Sequence, residues 1–179
     1  LEEFVHIRDC IKRMAVGPKA SQDLSREEVK QAVSDMLAGS VEPVTAAVFL
    51  LGLRLKRETQ AENEGVLDGL QLHTRTWNPP IPKILDIADP YDGFRRIPHW
   101  SLFRAAILAS MGLPTVLHGS TLVPPKNGLT TLDLIREWSG LPAYRVPRSR
   151  TEQTLLECGW TFCDLEVFCP PLEALRELR

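Results

Sequence analysis

The sequence lacks an apolar run long enough to cross a bilayer, and it has no signal-peptide pattern at its start. The expectation is a soluble chain. It opens on Leu1 rather than Met, which points to a piece of something longer. Cysteine is sparse: Cys10, Cys158, Cys163 and Cys169 show no C-x-x-C spacing and have no nearby histidine pair, so a reducing compartment (cytoplasm, organelle matrix or stroma) without a zinc site is expected. His6, His73, His99 and His118 lie far apart, there is neither a P-loop nor a G-x-S-x-G elbow, and no base stands beside Cys158. The residues thus name no catalytic and no metal-binding set.

What is present is ample core material. With 179 residues, 44% of them hydrophobic, the chain can form one compact domain, or a small helical module packed on part of a larger one. The net charge of −2 conceals a gradient. Lys+Arg against Asp+Glu number 10 and 12 over residues 1–76, 9 and 5 over 77–150, and 2 and 6 over 151–179. A basic centre between acidic flanks suits an anionic ligand held locally better than a surface built for duplex DNA. Chance clustering explains a four-charge excess equally well.

Phe4, Ile7, Ile11 and Met14 recur at helical spacing up to Gly17-Pro18. Ser25 with Glu28 forms a capping box for a second helix, whose apolar face is Val29, Ala32, Val33, Met36 and Leu37. Pro43 suits a first helical position, and residues 44–55 are apolar almost all round, which predicts a helix buried on several sides or covered by a partner. Thr59 and Glu62 repeat the capping-box spacing for a fourth helix through about His73, with Val66, Leu67 and Leu70 expected inward. The prolines of Trp77-Asn78-Pro79-Pro80-Ile81-Pro82 then end the helical region, and residues 77–83 read as a hinge.

Beyond the hinge the pattern alternates. Strands are expected at 84–87, 115–117 and 160–165, and helices at 99–111, 129–138 and 172–178, with a short helix before Gly159 capped by Ser149 and Glu152. Strand, helix, strand implies parallel pairing. The fold class is therefore α/β: a helical bundle over 1–76, then part of a parallel α/β sheet domain over 84–179.

Residues 115–131, TVLHGSTLVPPKNGLTT, pass from strand through a polar glycine loop into a helix. Gly119 and Gly128 permit close backbone approach, Ser120 and Thr121 can donate hydrogen bonds, and Lys126 brings a positive charge near a helix start, which together suit a phosphate. An ordinary strand-to-helix connection carrying a surface lysine reads the same way.

At these residues the chain resembles the anthranilate phosphoribosyltransferase family, relatives of the pyrimidine nucleoside phosphorylases. His118-Gly119, Lys126 and Gly128 are similar to the family's K-H-G-N-R-x-x-S-S-K-x-G loop, and residues 23–59, 84–89 and 158–179 match in the same order. The resemblance implies the N-terminal half of such a protein: a dimerisation-type helical bundle followed by part of a phosphoribosyltransferase-type domain. It also implies loops after the first two strands that hold a phosphoribosyl diphosphate with magnesium. Here the glycine-rich D-x-x-G-T-G-G-D-G is replaced by Asp86-Ile87-Ala88-Asp89-Pro90-Tyr91-Asp92-Gly93, which sets a carboxylate where a diphosphate would lie. Of the family's N-I-S-T only Ser101 matches. Leu117, Ser120 and Thr121 replace lysine, asparagine and arginine, and a family histidine falls at Cys169 with its arginine partner at Arg179.

These departures place the chain nearer diverged relatives that keep the fold and include bacterial proteins binding nucleic acid non-specifically. The expectation is a catalytically degenerate protein with no catalytic residue and no cofactor, serving as a binding or structural subunit. Residues 1–74 would form a homodimer or a contact in a larger complex. Its anion site would be Ser101, His118, Gly119, Ser120, Lys126 and Gly128. Single-stranded nucleic acid would be met by Arg95, Arg96, Arg104, Arg145, Arg148 and Arg150, with Trp100 or Tyr144 for stacking. The alternative is an active glycosyl or phosphoribosyl transferase with an altered donor loop, in which case magnesium would be its cofactor.

Overall fold

In the computed structural model, the described residues are 7–17, 19–88, 99–121, 128–140 and 147–178. Arg95, Arg96, Lys126, Tyr144 and Arg145, and the Asp89-Pro90-Tyr91 segment, lie outside them. The chain divides into two units, one of Leu1–Arg75 with Leu178–Arg179, the other of Thr76–Glu177.

The first unit contains α1 (Ile7–Met14), α2 (Arg26–Leu37), α3 (Pro43–Lys56) and α4 (Gln60–His73). Both expected capping boxes form: Ser25 and Thr59 accept from the backbone of Glu28 and Glu62, and each glutamate reaches back to its cap residue's N–H. Helices α2 and α4 pack against each other, and α1 against α3.

Two expectations change here. On α4 the buried positions are Glu62, Gly65 and Gly69, while Leu67 is exposed. The reason is backbone proximity. A Cβ on Gly65 would lie 2.4 Å from the Arg26 carbonyl oxygen, and one on Gly69 would lie 2.8 Å from Val33 Cβ, so glycine is what lets α4 seat against α2. On α3 only Ala46, Phe49 and Leu53 are buried, so the helix is covered on one side and open on the other.

Glu62 also ties the unit together from within. Fully buried, it accepts from the N–H of Leu24 and Thr59 and from Lys56 Nζ at 2.8 Å. Burial raises its carboxyl pKa, but the Lys56, Thr59 and Leu24 hydrogen bonds outweigh that and hold it below the usual carboxylate range.

The second unit contains β1 (Leu85–Ala88), α5 (Ser101–Ser110), β2 (Thr115–Gly119), α6 (Thr131–Ser139), α7 (Arg148–Cys158), β3 (Trp160–Asp164), α8 (Leu165–Phe168) and α9 (Pro170–Ala174). A 3-10 turn at Leu175–Leu178 follows. The strands form one parallel sheet ordered β1-β2-β3. Leu117 and Phe162 pack on Leu102, Ala105 and Leu132, while Val116 and Cys163 pack on Leu155 and Phe168. Central β2 is thus covered on both faces, as a buried parallel strand requires.

Local boundaries differ from the sequence pattern. Helix α7 starts at Arg148 behind Pro147, which offers no side-chain cap, so Ser149 falls inside the first turn and its expected box with Glu152 is absent. Instead Thr130 caps α6 and Asp133 completes that box. The strand expected to reach Leu165 stops at Asp164, whose side chain caps α8.

Candidate functional site

The parallel register brings the carboxyl ends of the three strands side by side: Ala88 is opposite His118, His118 opposite Cys163, and Gly119 opposite Asp164. In open α/β sheets this edge is where ligands bind. Helix α5 ends just before β2 begins, so its first residue, Ser101, returns towards the same edge, as a parallel connection demands.

The expected anion-site residues are found in distinct states. His118 is half-buried, its Nε2 3.3 Å from Asp86 Oδ1 on the neighbouring strand. Gly119 closes β2, and Gly128 has a φ of 139°, a conformation that favours glycine. Ser101 is buried, with Arg104 Nη2 3.5 Å from its Oγ. Ser120 is also buried, and its Oγ donates to Glu173 Oε2 at 2.6 Å. Arg176 Nη1 lies 2.9 Å from Glu173 Oε1 and donates to Thr121 Oγ1 at 2.6 Å. His118 and Gly119 thus end β2, and Ser120 and Thr121 just beyond it are tied to the C-terminal segment by an acid and a base 53 and 55 residues away.

Beside this tie lies a cavity of about 630 Å³ lined by Thr121, Arg136, Glu166, Glu173 and Arg176, among others. Glu173 and Arg176 escape a reading of the sequence because nothing local links them to Ser120 and Thr121. Their i,i+3 spacing is the only available signal, and that spacing is common on helices.

Cys163, beside His118 in the register, is buried. Burial, and secondarily Asp86, pushes its thiol up to about 12, and burial pushes Cys10 to about 11. None of the four cysteines is joined in a disulfide, and among the described residues no group of three or more His, Cys, Asp or Glu could hold a metal ion. Also among the described residues, no helix is long and apolar enough to cross a membrane.

Of the nucleic-acid candidates, Arg148 donates to the Thr76 carbonyl at 2.9 Å and Arg150 to Gln153 Oε1 at 3.2 Å. Arg104 is exposed. Trp100 and Trp138, 60% and 63% exposed, flank Phe103 edge-on with ring centroids 5.9 and 6.1 Å apart. Trp100 is exposed beside Phe103, and α6 turns Trp138 outward against the same ring.

A further surface lies on α3, where Val44, Val48, Leu51 and Leu55 are all exposed at spacings of four, three and four. Alternating spacings of four and three set these side chains along one stripe of the helix.

Residues 8–73 match the family model described as the glycosyl transferase family helical bundle domain. Over 173 residues the chain is 30% identical to the uncharacterized protein YbiB of Escherichia coli strain K12, covering 96% of this chain and 53% of that protein. Against the anthranilate phosphoribosyltransferase of Saccharopolyspora erythraea it is 29% identical over 156 residues, covering 86% of this chain and 42% of that one. The crystal structure of anthranilate phosphoribosyltransferase (TrpD) from Thermus thermophilus superposes with a TM-score of 0.76 at 26% identity, over 95% of this chain and 50% of that one. The Saccharomyces cerevisiae enzyme in complex with PRPP and Mg shares the fold, with a TM-score of 0.73 at 18% identity. The chain spans about half the length of the curated relatives it matches. A helical bundle followed by a small parallel sheet, matched in order along nearly the whole chain, places this protein among the glycosyl transferase family homologues of anthranilate phosphoribosyltransferase, as a counterpart of their N-terminal half.

Proposed function

We propose that this chain is a catalytically degenerate relative of the anthranilate phosphoribosyltransferases that works as a binding or structural subunit, pairing with a second copy through its helical unit. The observation that carries the reading is the α3 seam. Val44, Val48, Leu51 and Leu55 repeat at helix-packing spacing yet stand open to solvent. Each such side chain withdrawn from water contributes roughly 1.5–3 kcal/mol, so four on each of two chains favour association. The strand edge supports the degenerate part. Ser120, a hydroxyl suited to a phosphate, is already committed to the Glu173 carboxylate, and the first loop carries Asp89-Pro90-Tyr91 where the resembled family has glycines.

Two measurements test this. Sedimentation equilibrium should find wild type dimeric at tens of micromolar and Leu51→Glu monomeric; a monomeric wild type removes the proposal. Calorimetry with phosphoribosyl diphosphate and magnesium should detect no binding, and micromolar affinity would instead support the active transferase with an altered donor loop. Single-stranded nucleic acid is a second reading, favoured by the exposed ladder Trp100-Phe103-Trp138 beside exposed Arg104, because bases stack on open rings and phosphates meet the cation. Anisotropy across a salt series should then show weaker binding in Trp100→Ala. Removing Arg145, Arg148 and Arg150 together should flatten the log–log slope by roughly 2–3 units.

A further inference from the structure

We infer that Ser120, Thr121 and Arg176 form a receptor for a small oxyanion, a carboxylate or a phosphate, and that Glu173 fills it as an internal ligand. The two oxygens of the Glu173 carboxylate are held by different donors: Oε2 takes the Ser120 hydroxyl at 2.6 Å, and Oε1 faces Arg176 Nη1 at 2.9 Å. A guanidinium and a hydroxyl gripping one carboxylate from two directions is how proteins seat an anionic ligand. Thr121 Oγ1 accepts from the same Arg176 nitrogen at 2.6 Å, which fixes the guanidinium and leaves the Thr121 hydroxyl hydrogen for a further acceptor.

The site also has room. The adjoining cavity of about 630 Å³ is of ordinary ligand-pocket size. Among the described residues its charged lining is Arg136, Arg176, Glu166 and Glu173. Taking Glu173 away removes the carboxylate that the Ser120 hydroxyl and the Arg176 guanidinium hold, leaving both donors to an incoming anion. In the intact chain an external oxyanion must displace a carboxylate tethered at high effective concentration, so the receptor is screened rather than missing. Entry of a ligand would release the C-terminal turn from the end of β2. The inference stands on this geometry alone and is independent of pairing through α3.

The test titrates the chain with inorganic phosphate and, separately, with acetate, at constant ionic strength, following the amide NMR shifts of Ser120 and Thr121. Glu173→Ala should saturate at least tenfold more tightly than wild type, and Glu173→Ala/Arg176→Ala should lose that gain. Saturation by phosphate alone assigns the receptor to phosphates, and by acetate alone to carboxylates. Equal affinities in wild type and Glu173→Ala, or undiminished binding in the double variant, would overturn the inference. Circular dichroism checks each fold. Should Glu173→Ala unfold, Glu173→Gln, which keeps an acceptor for Ser120 while dropping the charge, carries the same comparison with and without Arg176→Ala.

Discussion

Substituting Gly65 by alanine sets two effects of opposite sign against each other. Helix propensity favours alanine by roughly 1 kcal/mol in a helix interior. The packing opposes it. The new Cβ would sit 2.4 Å from the Arg26 carbonyl oxygen and 2.9 Å from Val29 Cβ, and the first of these is backbone of α2, which cannot swing aside as a side chain would. Relief requires α4 to move away from α2, and overpacking of this kind costs about 1–3 kcal/mol. It also loosens a contact that buries Val29, Ala32 and Val33.

The expected net is a loss of up to about 2 kcal/mol for Gly65→Ala, with a similar loss for Gly69→Ala, where Val33 Cβ and Cγ1 both lie 2.8 Å from the added carbon. For a helical unit of this size that corresponds to a fall in Tm of roughly 4–8 °C per kcal/mol. Gly52→Ala is the control. Its Cβ would meet only the Met14 side chain, nearest at Cε, 3.3 Å away, and a flexible thioether end can give way, so propensity should win and stability should hold or rise by up to about 1 kcal/mol. Urea and thermal unfolding by far-ultraviolet circular dichroism decide the sign. If Gly65→Ala stabilises as much as Gly52→Ala does, the close approach of α4 to α2 is not real and the account of this unit fails.

Three other outcomes follow from buried groups. Glu62→Ala should destabilise by about 1–3 kcal/mol, because it leaves the amides of Leu24 and Thr59 without their acceptor while Lys56 keeps Asp23, and chemical denaturation measures it. The same carboxylate sets a pH dependence: its folded pKa is depressed, so its contribution is complete above the unfolded value of about 4.3 and is lost as pH falls through the lower folded value. Acid titration of the helical signal should therefore show Glu62→Gln losing less stability than wild type below about pH 4. A thiol reagent at neutral pH should label exposed Cys158 rapidly and Cys10, Cys163 and Cys169 only on unfolding; rapid labelling of Cys163 in the folded chain would contradict its burial.

Much of this protein is written locally in its sequence. Capping at Ser25 and Thr59, Pro43 at the start of α3 and the apolar periodicity of α2 are short-range effects, settled by residues three or four apart, so they are legible without a fold. Central β2 is legible too, because a buried parallel strand is a short apolar run between breakers. The inward face of α4 is not legible, since the pattern favours Leu67 whereas the backbone of α2 selects Gly65 and Gly69.

The candidate site divides in the same way. His118, Gly119 and Ser120 can be marked from a strand that breaks into a polar loop. That Ser120 is held by Glu173, that Arg176 reaches Thr121, and that His118 stands beside Asp86 depend on strand register and on a C-terminal turn returning to the sheet edge. Hydrogen bonds act over about 3 Å in space with no regard to separation along the chain, so only the tertiary structure could decide which charges meet there.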